Sequence, residues 1–181
     1  MHRARDPSLP PTTLVIGGVR SGKSVHAERL ITETHLGGIY VATAEIRDGE
    51  MAERVRLHRE RRGPSWDVIE EPLDIVGALR AGAGRGMPFL IDSLTVWLAN
   101  VLERDRDPGA EVSGLVSFLG SFDGPVVMVA DEVGLGGISA NALQRRFADA
   151  AGQMNQAIAM AADRVVLVAA GLPLTLKDVA N

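Results

Sequence analysis

No cysteine occurs anywhere in the chain, so a disulfide framework, a thiolate zinc site and a cysteine nucleophile are excluded together. No apolar run reaches the roughly 18 residues that a membrane-spanning helix needs, and none is expected. Positive charge is not in excess either. The formal net charge is −4, which argues against a general nucleic-acid binder while leaving room for an individual phosphate site. Aromatic residues are only 4% of the 181 positions, whereas glycines number 20; that is more glycine than a helical bundle would want, and it favours an α/β fold with many tight loops. Internal repeats and low-complexity tracts are also missing. The length suits one domain with a hydrophobic core. Residues 1–12 carry Arg3, Arg5 and paired prolines but no apolar signal-peptide core, so they are expected to be a flexible leader to a single domain over 13–181. Cytoplasmic location is the default expectation.

What the chain does contain is concentrated at Thr13–Ser24, TLVIGGVRSGKS. A short β-prone run opens into the pattern G-x-x-x-x-G-K-[ST], met by Gly17, Gly22, Lys23 and Ser24 with Gly18, Val19, Arg20 and Ser21 between. This is a P-loop. Its glycines let the backbone turn so that successive N–H groups point at a phosphate. Lys23 reaches the β/γ-phosphates as a point charge, and the Ser24 hydroxyl completes the coordination of a Mg²⁺ bridging them. The helix expected to follow, from the pattern Val25-Ala27-Glu28-Leu30-Ile31, adds its positive N-terminal end. A ligand-free Gly-rich turn is the bland account; the strand before and the amphipathic helix after favour nucleotide binding.

Further along, Ile39–Thr43 reads as a buried parallel strand, expected beside the first one. Asp48 looks like the N-cap of a helix running to about Arg62. Trp66–Ile69 suggests a short strand, the repeat Leu73, Ile75, Val76, Leu79 a helix closed by AGAGRG, and Met87–Ile91 an apolar strand running into Asp92. A helix over Leu94–Leu102 and a further amphipathic segment precede Val126–Ala130, the clearest central strand. Asn141–Ala162 is helix-prone with a break expected at Gly152, Val165–Ala169 is the last core strand, and the tail is expected to complete an edge. Strands alternating with helices give a parallel sheet covered on both faces.

Asp92, at a strand C-terminus, has the position of a carboxylate that binds Mg²⁺ directly or through water; its rival role is N-cap of the next helix. Asp131 and Glu132 form a second pair at a strand end, where a base or a hydroxyl partner would fit. His58 shares a helix face with Met51 and Val55. A half-buried histidine satisfied by a carbonyl is the bland account. The crowding of Arg59, Arg61 and Arg62 instead suits an imidazole that attacks a phosphate whose charge the guanidiniums hold.

In order and spacing, GGVRSGKSVHAE, YVATAE, DGEMAERVRLHRERR, IEEPLDI, IDSLTVWLAN, DEVGLGG and RRFADAAGQMNQ with a late VAAGLPLTLK resemble the adenosylcobinamide kinase/adenosylcobinamide-phosphate guanylyltransferase family of cobalamin biosynthesis, from Thr13 to Lys177. The resemblance implies a RecA-like P-loop NTPase fold, mostly parallel, and two activities. One phosphorylates adenosylcobinamide with ATP or GTP. The other transfers GMP from GTP to adenosylcobinamide phosphate through a GMP-histidine intermediate on His58. By position it also implies nucleotide contacts at Gly17 to Ser24, at Val41, Ala42 and Thr43, at Arg59, Glu60, Arg61 and Arg62, at Glu70 and at Asp92, with Mg²⁺ on Ser24 and Asp92, and a homotrimer. The chain departs from the family at Asp131, where Asn is common, and at Ser139, near which a Pro is common. A monofunctional P-loop kinase and a nucleotide-dependent switch protein are the competing readings.

Overall fold

The computed structural model describes residues 9–45, 65–137 and 139–179. The helix expected from Asp48 to Arg62 lies outside the described residues. The strands are β1 (Thr12–Gly17), β2 (Gly38–Ala42), β3 (Trp66–Glu70), β4 (Phe89–Asp92), β5 (Val126–Asp131), β6 (Arg164–Ala169) and β7 (Leu172–Asp178). They form one sheet in the order β3-β2-β4-β5-β1-β6-β7. The first six run parallel, and only β7 returns antiparallel, along the edge beside β6.

Alternation along the strands divides two cores. Leu14, Val126, Met128 and Ala130 face one side, where α2 (Ile75–Gly82), α3 (Leu94–Glu103), α4 (Pro108–Leu119) and α5 (Ala142–Ala161) pack. Val15, Val127, Val129 and Val166 face the other, against Ala27 and Ile31 of α1 (Lys23–Thr32). Both faces are therefore covered, as the unbroken apolar runs require of a parallel sheet.

Two expectations need correcting. β2 does not lie beside β1: β4 and β5 stand between them. Nearness in sequence does not fix pairing order, and β5, buried on both faces, takes the central place next to β1. Nor does Gly152 break its helix, since α5 runs unbroken through it. Buried Ala151, Met154, Asn155 and Ile158 hold this stretch against the sheet, and such packing outweighs the ~1 kcal/mol by which a helical glycine trails alanine.

The helix starts differ from one another. Asp74, Ser93, Asp107 and Asn141 each accept a backbone N–H with the side chain at the start of α2, α3, α4 and α5. α1 begins at Gly22, with φ 96° and no side-chain cap.

A Cβ on Gly152 would meet nothing within 4 Å among the described residues. Gly152→Ala is therefore expected to stabilise the protein by about 0.5–1 kcal/mol, measured as a raised denaturation midpoint with unchanged m-value.

Candidate active site

Because β1 to β6 run parallel, Gly17, Ala42, Glu70, Asp92 and Asp131 end on the same edge of the sheet, the edge where ligands bind in open α/β folds. The loop Gly17–Ser24 starts there and is fixed from several directions. A Cβ on Gly17 would sit 2.5 Å from Ser21 Oγ and closer still to the Val168 carbonyl oxygen of β6, so this position admits glycine alone. Gly22 needs its positive φ, and a Cβ there would crowd Gly171 at 3.3 Å. Gly171, in the β6–β7 turn, donates its N–H to Ser21 O at 2.8 Å. By contrast, a Cβ on Gly18 would touch nothing within 4 Å among the described residues.

The uncapped N-terminus of α1 leaves helix N–H groups for another acceptor. Ser21 Oγ, also in the loop, is buried without a hydrogen-bond partner among the described residues. Lys23, the first residue of α1, is only 8% exposed. Its Nζ donates to Gly18 O at 3.2 Å and lies 2.6 Å from Asp131 Oδ1.

Asp131 is anchored on both sides. Its N–H donates to Thr95 Oγ1 at 2.6 Å, and its carbonyl accepts from Asn155 Nδ2 at 3.1 Å. Next to it, Glu132 N–H donates to Gly17 O at 3.0 Å, tying the end of β5 to the root of the loop.

On β4, Asp92 is not the cap of α3. Ser93 takes that role, accepting from Val96 N–H. Thr43 is fully buried and spends its hydroxyl on Ser93, donating to Ser93 O at 2.8 Å and accepting Ser93 N–H at 2.9 Å. Asn100 Nδ2 donates to Thr43 O and Pro72 O. These contacts pin together the ends of β2, β4 and the turn after β3. Val41 is likewise core, with no exposed surface, so only its backbone reaches the edge. Glu70 pairs in register with Ala42, and Ala42 with Asp92, but four strand steps separate β3 from β1, roughly 19 Å at the usual spacing. The structure thus gathers Gly17 to Ser24, Asp92 and Asp131 at one end of the edge and sets Glu70 at the other. His58, Arg59, Glu60, Arg61 and Arg62 lie outside the described residues.

Ser24 and Asp92 offer a hydroxyl and a carboxylate, hard oxygen donors of the kind Mg²⁺ takes. Among the described residues no group of three or more His, Cys, Asp or Glu side chains forms a metal cage. The donor set therefore fits an ion carried largely by a nucleotide's own phosphates and water. His26 stands on α1 just beyond the loop; burial first, then Arg29, push its pKa down, with Glu33 opposing.

Sequence reasoning left Asp131 unassigned and missed Thr95, Asn100 and Asn155. Thr95 and Asn100 are polar residues among apolar ones on a helix, a signal for buried hydrogen bonding. Beyond the Asp131 anchor, a cleft of about 950 Å³ opens between Ala99 and Leu102 of α3, Val133 after β5, and Leu143 and Phe147 of α5.

The glycine geometry separates two neighbours. Gly17→Ala is expected to abolish nucleotide binding through the clash with Val168 and Ser21, while Gly18→Ala keeps it within a few-fold, as checked by calorimetric titration with GTP; equal losses would contradict the assigned loop geometry.

Comparison with known proteins accords with this architecture. The P4 protein from bacteriophage phi6 in complex with ADP has a similar fold, with a TM-score of 0.51 at 17% identity over 96% of this chain and 57% of that one. The bifunctional adenosylcobalamin biosynthesis protein CobP of Pseudomonas aeruginosa is 45% identical over 91% of this chain and 96% of its own. The corresponding protein CobU of Escherichia coli is 35% identical over 91% and 98%. Residues 13–176 match the family described as cobinamide kinase / cobinamide phosphate guanyltransferase, and to that family this chain belongs.

Proposed function

We propose that the chain phosphorylates adenosylcobinamide with ATP or GTP and then transfers GMP from GTP to adenosylcobinamide phosphate, giving adenosylcobinamide-GDP. The observation that carries the first step is Lys23, held by Gly18 O at the mouth of a loop whose helix N-terminus has no cap of its own. The uncapped N–H groups and the ammonium together take the phosphate charge that shifts as the γ-phosphoryl group leaves. Ser24 and Asp92 would hold a Mg²⁺ ion, which would supply charge neutralisation at the nucleotide phosphates. The acceptor approaches from the cleft between α3 and α5. That cleft begins at Ala99, four residues along α3 from the Thr95 that holds Asp131, or about 6 Å.

For the second step the nucleophile is His58. Its imidazole attacks the α-phosphate of GTP, forms a P–N bond and expels pyrophosphate; the phosphate of the second substrate then displaces the imidazole and takes the GMP. Arg59, Arg61 and Arg62 balance the charge on the phosphates. The assignment rests on family membership and on the EMAERVRLHRERR segment. A homotrimer belongs to the same reading. Leu172, Leu174 and Leu176 alternate along β7 and are all more than half exposed, an apolar stripe of the kind a subunit contact covers. We place the enzyme in the cytoplasm, where ATP and GTP are supplied.

Two variants test the two steps separately. Lys23→Ala is expected to lower kinase turnover at least a hundredfold, roughly 3 kcal/mol of transition-state stabilisation, with the fold intact by circular dichroism. Wild-type turnover in that variant would refute the P-loop assignment. His58→Asn is expected to abolish labelling of the protein by GTP carrying label in the α-phosphate, and GMP transfer with it, while phosphorylation of adenosylcobinamide continues. Label that is retained, or both activities lost in parallel, would remove His58 from the nucleophile's role.

A further inference from the structure

We propose that Asp131 is a positioning residue that competes with incoming phosphate for Lys23 and so makes this site favour metal-complexed nucleotide over the bare anion. The proposal rests on the phosphate-site reading above. An ammonium has three N–H donors. Those of Lys23 reach Gly18 O at 3.2 Å and Asp131 Oδ1 at 2.6 Å, so the lysine already has an anionic partner before any ligand arrives.

Neither partner is placed to withdraw easily. Lys23 is the first residue of α1, its backbone set by the helix. Asp131 ends β5 in register with Gly17. Thr95 and Asn155, which hold its N–H and carbonyl, are 7% and 8% exposed, and the neighbouring Glu132 N–H is tied to Gly17 O. The carboxylate is thus mounted on the root of the same loop that cradles the phosphate. The side chains of Lys23 and Asp131 are only 10% and 23% exposed, so solvent screens them less than a surface pair.

A phosphate that takes Lys23 must bring its charge to within a few ångströms of that carboxylate. Like charges so close, in a partly buried setting, oppose each other appreciably. The opposition is greatest for a polyphosphate with no cation and falls when a divalent ion offsets the phosphate charge. Asparagine at this place would keep the shape and a hydrogen-bond acceptor for Lys23 while removing the repulsion.

The test is calorimetric titration of the full chain with GDP, once in EDTA and once in excess Mg²⁺, for wild type, Asp131→Asn and Lys23→Ala. Asp131→Asn is expected to tighten binding in EDTA at least about fivefold, with a smaller change in Mg²⁺, so that the ratio of the two Kd values narrows. A residue that mattered only for folding would weaken binding in both buffers alike and leave the ratio fixed. If Asp131→Asn does not fold, Asp131→Ser removes the same charge and replaces it in the titration. A ratio unchanged within twofold, or weaker binding in EDTA, while Lys23→Ala loses affinity, overturns the role given to Asp131. If wild type fails to bind, or Lys23→Ala binds as wild type does, the phosphate-site reading fails first and the proposal falls with it.

Discussion

β1 is pinned between β5 and β6 in parallel register, and the loop that follows it has almost no room to be anything other than what it is. Gly17 faces the Val168 carbonyl across the β1–β6 ladder, so the chain must turn at once, without a side chain, toward the start of α1. The Gly171 N–H then holds the loop at Ser21 from the β6–β7 turn, and the Glu132 N–H holds its root from β5. The β6–β7 turn thereby acquires a local task as the outer wall of the loop. Shape here follows from sheet order, because only a strand with a partner on each side can be gripped from both.

The distribution of helix caps points to the same end of the molecule. Helices α2, α3, α4 and α5 start on Asp, Ser, Asp and Asn side chains that satisfy early N–H groups, a contribution of about 1 kcal/mol apiece. α1 forgoes it, with Gly22 in a left-handed conformation and no acidic residue in its first turn. In its place stand the Lys23 ammonium and, across from it, the Asp131 carboxylate. Breaking a buried pair of this kind by removing one partner commonly costs a few kcal/mol. The cradle therefore combines a positive helix end and the lysine ammonium with the Asp131 carboxylate set against them.

Much of this was legible in the sequence for local reasons. A P-loop is a contiguous pattern, and the run Val126–Ala130 is too uniformly apolar to be anything but a strand buried on both faces, while Val165–Ala169 reads as a core strand and buries Val165, Val166 and Val168. What was not legible depended on contacts between distant positions. The place of β2, with two strands between it and β1, is decided by pairing that no local periodicity encodes. Residue type made Asp92 a candidate cap of α3, and the geometry of the helix start gives that place to Ser93. Thr43 carries the composition of a strand end near a ligand, yet its hydroxyl closes a reciprocal pair with Ser93, fifty positions away. The partnership of Lys23 with Asp131 lies across more than half the chain. Gly152 shows the opposite failure: a local breaker signal was overruled by the packing of its neighbours.

The polar pins along the edge have a consequence for the chemistry. Thr43, Ser93 and Asn100 join the ends of β2 and β4 and the turn at Pro72 through buried hydrogen bonds, and satisfied networks of this kind rigidify what they connect. Thr95 and Asn155 do the same for the end of β5. Asn100 and Thr95 both stand on α3, so one helix secures both halves of the edge. The spacing between the phosphate cradle and the Glu70 end is then set by the sheet, at roughly four strand steps. The strand ends are held in place, so the cradle meets an incoming phosphate with its walls already set.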